Sequence, residues 1–196
     1  MTHKQHASLA LVSLFAALLA VFGLIPKIDL PLGVPITLQT LGVMLAGAVL
    51  GARKAAASVL LFFVLVAIGL PLIAGGRGGL GVFASPSVGF FVGWVAAALV
   101  IGWLTQRRGA PYSIPWGIAF NIIGGILVMY VFGLAGIMIV GDLTLSAAFV
   151  ATVVFVPGDV VKAVLAALIA KPVHAAYPGL LKVRRRTAEA VDAPST

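Results

Sequence analysis

Two opposite charges stand three residues apart inside an apolar run. The stretch Val156-Pro157-Gly158-Asp159-Val160-Val161-Lys162 lies within Leu145 to Ala170, which is otherwise free of ionisable side chains. Placing either charge in lipid costs roughly 2.5–3.5 kcal/mol on insertion scales. Residues at i and i+3 of a helix share a face, with Cβ atoms about 5–6 Å apart. Asp159 and Lys162 are therefore expected to face one cavity together. The pair offers carboxylate acceptors beside ammonium donors. A neutral urea or amide complements that set, its N–H groups meeting Asp159 and its carbonyl meeting Lys162. An inorganic ion would want several like-charged or carbonyl ligands instead. The competing explanation is an intramembrane ion pair that only locks two helices together. Pro157 lacks a donor and clashes with a preceding turn, so a helix is predicted to kink or restart there with Asp159 close behind.

The elements that hold this pair must be membrane helices. Of 196 residues, 62% are hydrophobic and 9% charged, with a mean hydropathy of +1.19, which excludes an ordinary soluble domain. No cysteine is present, so disulfides, thiol nucleophiles and thiolate metal sites are excluded. His3, His6 and His174 are assigned to the ends of the chain, outside the apolar segments, which argues against a buried histidine metal cluster. No metal or other cofactor is expected. A net charge of +8 raises the question of nucleic acid. The charges cluster at segment ends, as topology determinants do, so no nucleic-acid partner is expected.

Six apolar runs are predicted as transmembrane helices of an all-α, polytopic bundle: Ala7 to Ile25, Ile36 to Leu50, Ala55 to Ala74, Val88 to Leu104, Ile114 to Val140 and Leu145 to Ala170. The first is read as a retained helix rather than a signal peptide. It carries small residues at Ser13/Ala17 and Ala16/Ala20, a spacing that admits another helix, from a partner or from this chain itself. The second opens with Thr37, Gln39 and Thr40, which either cap the helix or face a polar ligand. With the N-terminus inside, the inner segments hold Lys4, Arg53, Lys54, Arg107, Arg108, Lys171, Lys182, Arg184, Arg185 and Arg186, against Lys27 and Arg77 outside. That bias places both termini in the cytoplasm. Residues 1–175 are read as the membrane domain and 176–196 as a basic tail, disordered at its end.

The segment Gly75 to Pro86 formally contains G-x-G-x-x-G at Gly76, Gly78 and Gly81. No strand or βαβ unit surrounds it, so a dinucleotide site is rejected. A lid or re-entrant loop is expected instead, with Gly81 and Phe83 near the ligand and Arg77 placed to hold a ligand carboxylate at the entrance; a plain connector remains the alternative. Asn121 and Tyr130 are polar outliers in the fifth run and join the candidate ligand contacts.

Three stretches resemble one family. Val34-Pro35-Ile36-Thr37-Leu38-Gln39-Thr40-Leu41 resembles the start of the second helix in the biotin-specific S components of energy-coupling-factor transporters, the BioY family. Gly69-Leu70-Pro71, the glycine-rich loop and Ser85-Pro86-Ser87-Val88-Gly89-Phe90 resemble its third-loop region, where Gly-Pro-Thr-Gly-Gly-Tyr is the commoner form. Phe155 to Ala163 resembles its sixth-helix motif. The resemblance, from about Ala7 to Ala170, implies six helices in a bacterial inner membrane that capture biotin from outside. It implies that Asp159 and Lys162 contact the ureido ring. It also implies that the first helix, with Ser13, Ala16, Ala17 and Ala20, meets a transmembrane coupling protein served by cytoplasmic ATPases. A carrier for another vitamin-like solute shares this architecture. A membrane enzyme would need a nucleophile or metal ligand beside the pair, and the sequence supplies none. A channel would repeat polar residues along several helices, and only isolated ones occur.

Overall fold

The computed structural model describes residues 3–29 and 34–181. The basic residues Lys182 and Arg184 to Arg186, and the tail end expected to be disordered, lie outside the described residues. Helices α1 (His3–Leu24), α2 (Gln39–Leu50), α3 (Ala52–Ala67) and α4 (Val88–Arg108) come first. Next is one rod, Ile114–Val140, made of α5 (Ile114–Ile122), a π-helical turn (Ile123–Val128) and α6 (Met129–Val140). Then come α7 (Leu145–Val153) and α8 (Val156–Ala176). Among the described residues there is no strand beyond isolated bridges at Ile28–Ile36 and Ile73–Arg77.

Helix α2 is the centre. Every residue of it except Thr40 is buried, which explains a sequence that is apolar on all sides. It packs against α1, α3, α4 and α8. Gly51, at φ +79°, reverses the chain in a single residue between α2 and α3, a conformation costly for any residue with a Cβ. Helices α4 and α6 cross backbone to backbone. A Cβ on Gly89 would stand 2.1 Å from the Phe132 carbonyl oxygen, and one on Gly136 would stand 2.5 Å from the Gly89 nitrogen. Small residues at such crossings let helices approach closely inside a membrane.

Gln5–Leu24, Val88–Arg108 and Ile114–Val140 are long and apolar enough to cross a membrane, and α7 with α8 makes a fourth span if the bent pair is counted as one. The chain is thus a multi-pass, all-helical membrane protein. The second and third expected runs form shorter helices. The 12 residues of α2 rise only about 18 Å, against a hydrocarbon core of about 30 Å. Helix α3 ends at Ala67 rather than Ala74, because Gly69 adopts φ +108° and Pro71 cannot continue a helix.

One expectation needs correction. The run from Leu145 breaks just before Pro157, as expected, into two helices bent by 50°, but the second continues past Ala170 to Ala176. His174 therefore belongs to α8, not to a tail. It is buried, its Nε2 lies 2.8 Å from the Ala48 carbonyl of α2, and its ring stacks on Tyr112. Pro172 removes one helical donor there, but packing against α2 and α5 keeps the helix intact. Ser13, Ala16, Ala17 and Ala20, the expected docking residues, differ in exposure. Ala16 is buried and Ala20 packs against the core, while Ser13 and Ala17 stay exposed. The two pairs are offset by about a sixth of a turn, and α1 turns the second pair toward α2 and α3.

Candidate functional site

Helix α8 begins at Val156 with Phe155 as its N-cap residue, Pro157 in the first turn and Asp159 directly behind. The Asp159 amide donates to the Phe155 carbonyl at 2.9 Å, so the carboxylate sits one turn inside the helix start, where the dipole favours a negative charge. Lys162 follows on the same face. Its ammonium donates to Asp159 Oδ1 at 2.8 Å and to Thr40 Oγ1 at 3.0 Å, and the Thr40 hydroxyl donates to Asp159 Oδ1 at 3.2 Å. From α6, the Tyr130 hydroxyl donates to Asp159 Oδ2 at 2.6 Å. Asp159 is 3% exposed and Lys162 7%, so burial strengthens each of these bonds and makes any unpaired charge expensive.

The hydrogen-bonding capacity is not exhausted. A carboxylate accepts about four bonds, and three are made to Asp159 among the described residues. An ammonium has three protons, and two of those on Lys162 are engaged. One acceptor position on Asp159 and one donor of Lys162 therefore remain on the same ion pair, which neighbours on α2 and α6 hold in place.

The pair opens into a cavity of about 50 Å³. Its walls are Phe90, Phe91 and Trp94 of α4, Met129 of α6 and Phe155 at the break before α8. Phe90 meets both Tyr130 and Phe155 edge to face, which ties the wall to the polar floor. Val34, Pro35, Ile36, Thr37, Ile73 and Arg77 line the other side. Ser87 also lines it, with a buried Oγ that has no partner among the described residues.

The structure brings only some of the sequence candidates together. Asp159, Lys162, Thr37, Gln39 and Arg77 line the cavity, and Tyr130 supports it from behind. Gln39 touches it with an amide already committed elsewhere: Nε2 donates to the carbonyls of Leu19 and Leu72, and Oε1 accepts from the Ala74 amide. Asn121 is buried away from the lining and donates to the Ala163 carbonyl of α8 at 3.0 Å. Gly81 sits exposed on a short 3-10 turn, Leu80–Ala84. Phe83 packs edge-on against Phe63 and Phe91, one shell behind the wall. The aromatic wall is what sequence reasoning left out, and Thr40, offered there as either a helix cap or a ligand contact, instead bonds both members of the ion pair. Aromatic residues carry no signal in a chain that is apolar throughout.

Comparison with known proteins points to one family. The chain is 49% identical over 177 residues to the biotin transporter BioY of Rhizobium etli, covering 87% of this chain and 94% of that protein. It is 46% identical over 187 residues to the biotin transporter BioY of Rhodobacter capsulatus, covering 90% and 98%. Its fold matches the crystal structure of the S-component for biotin from an ECF-type ABC transporter with a TM-score of 0.81, at 28% identity, over 89% of this chain and 95% of that one. The family model described as "BioY family" matches residues 1–179, and on that match the chain belongs to the BioY family.

Proposed function

We propose that this chain captures biotin from the outer side of a bacterial inner membrane, as the substrate-binding S component of an energy-coupling-factor transporter. The observation that carries this reading is the spare donor of Lys162 beside the spare acceptor position of Asp159 at the floor of an aromatic-walled cavity. A ureido group presents a carbonyl flanked by N–H groups, the complement of that arrangement. The cavity admits a few water-sized groups, the scale of such a head. The carboxylate at the far end of biotin then reaches toward Arg77, which has no carboxylate partner among the described residues. Purified chain should bind radiolabelled biotin and be competed by biotin better than by other vitamins. Equal competition by an unrelated vitamin would sink the reading.

Six spans with both termini cytoplasmic accompany this function. The support is the bias of basic residues, with Lys27 and Arg77 at the outer end and the remaining loop charges at the inner. A single cysteine at position 77 should react with an impermeant thiol reagent added outside intact cells. Reaction only from the cytoplasmic side would reverse the orientation.

The coupling protein and its ATPases are partners in this reading, because the chain carries no nucleotide-binding motif of its own. Ser13 and Ala17 supply the small exposed spacing on α1 for the coupling protein. Changing both to Trp should abolish capture of a co-expressed coupling complex and leave biotin affinity within about twofold. Undiminished capture would place the docking face elsewhere.

A further inference from the structure

We infer that Gln39 is a positioning residue: through the Ala74 peptide it holds Arg77 at the cavity mouth, and so governs recognition of the ligand's carboxylate rather than of its ring head. This rests on the biotin reading above. The relay is short. Ala74 donates its amide to Gln39 Oε1 at 3.1 Å, and its carbonyl accepts from Arg77 Nε at 3.4 Å. The turn is closed by Ile73 and Arg77, whose amides and carbonyls exchange bonds of 2.9 and 3.1 Å. Gln39 Nε2 then fastens the same segment to the body, donating to Leu72 O at 3.0 Å and to Leu19 O of α1 at 3.2 Å.

The turn needs such an external hold. Gly75, Gly76 and Gly79 take φ of +83°, +70° and +79°, so the segment has little stiffness of its own. Ordering a flexible segment costs conformational entropy that some fixed partner must offset. Gln39 is 1% exposed and lies in the first turn of the most buried helix, which makes it a rigid anchor. Its polar atoms serve Leu19, Leu72 and Ala74, so it meets the cavity chiefly with its stem.

Biotin and its uncharged amide separate the two ends of the ligand. Arg77→Gln should weaken biotin by about 10- to 100-fold, the worth of one charge-assisted bond, and change the amide little. Gln39→Met should reproduce that pattern: a comparable loss for biotin, and affinity for the amide within about threefold of native. The double variant should bind biotin no more weakly than Arg77→Gln alone, since both changes remove one interaction. Gln39→Glu keeps the acceptor for Ala74 but places an oxygen against Leu19 and Leu72; it should show the same selectivity loss. Equal losses for biotin and its amide in both Gln39 variants would overturn the assignment, as would additive losses in the double variant. Failure of native protein to bind biotin would instead overturn the functional reading and is scored separately.

Discussion

Asp159→Asn and Lys162→Gln should each lower biotin affinity by about 10- to 100-fold in a chain that still folds. The estimate follows from losing a charge-assisted hydrogen bond of about 1.5–3 kcal/mol, with tenfold in affinity per about 1.4 kcal/mol. The folded state should survive because the amides keep most of the local network. An asparagine at 159 retains an acceptor for Lys162 and Thr40, and its amide can donate to the Tyr130 oxygen. Truncation to Ala is a poorer experiment, since it also strips the hydrogen-bond partners from the buried charge left behind, a loss of about 3–5 kcal/mol that can empty the site by damaging it. The double change to Asn and Gln removes both charges together, and should be no less stable than either single variant while binding biotin weakly. A biotin analogue lacking one ureido N–H should lose affinity for the native chain and be penalised less by Asp159→Asn. Thermal unfolding in detergent and radiolabelled binding measure the two quantities independently. Native-like biotin binding by both folded single variants would make the pair structural and move the ligand elsewhere.

The second large effect is on the scaffold. Gly89→Leu should destabilise the protein by more than the roughly 1–3 kcal/mol typical of an overpacked core, with Gly89→Ala inside that range. The reason is what the new side chain meets. A Cβ at Gly89 stands 2.1 Å from the Phe132 carbonyl oxygen and 2.8 Å from Gly136 Cα, and backbone yields only if the helices separate. Separation carries off Phe90, the next residue, which walls the cavity and packs on Tyr130. Stability and biotin affinity should therefore fall together. Gly158→Ala is the matched control, since a Cβ there meets nothing within 4 Å even though Asp159 is its neighbour. It should be neutral or stabilise by about 0.5–1 kcal/mol through helix propensity. A stable Gly89→Leu variant with native affinity would show that α4 and α6 can part without consequence.

The polar floor was partly legible in the sequence. Asp159 and Lys162 stood out because charge is rare and expensive in an apolar run, and the i, i+3 spacing fixed their shared face. The restart at Pro157 followed from its missing donor. Gln39 and Thr40 look alike in the sequence as polar residues at a helix start. Only the fold separates them, since α2 turns Thr40 to the ion pair and Gln39 to α1 and the outer turn. The aromatic wall was hidden because Phe90, Phe91, Trp94 and Phe155 sit among residues equally apolar, whether they meet lipid or ligand. His174 was misplaced because Pro172 and the polar residues after it read as an end, while tertiary packing carried the helix onward.

The π-helical turn at Ile123–Val128 bears on how this site could have arisen. Asn121 and Tyr130 both bond to α8, to the Ala163 carbonyl and to Asp159. Nine steps of a regular α-helix rotate about 900°, which would set the two on opposite sides. A π-turn absorbs one extra residue, and eight effective steps leave them about 80° apart, close enough to address a single neighbour. The partner that holds Asp159 from behind thus depends on chain length as well as on residue type. A one-residue deletion at Leu127, whose side chain is exposed, would therefore restore eight regular steps and keep Tyr130 on Asp159, whereas a further inserted residue that the helix does not absorb would turn Tyr130 away by about 100°. At this helix an extra residue, ordinarily an event of loops, is taken up inside the rod without moving the two side chains that hold α8.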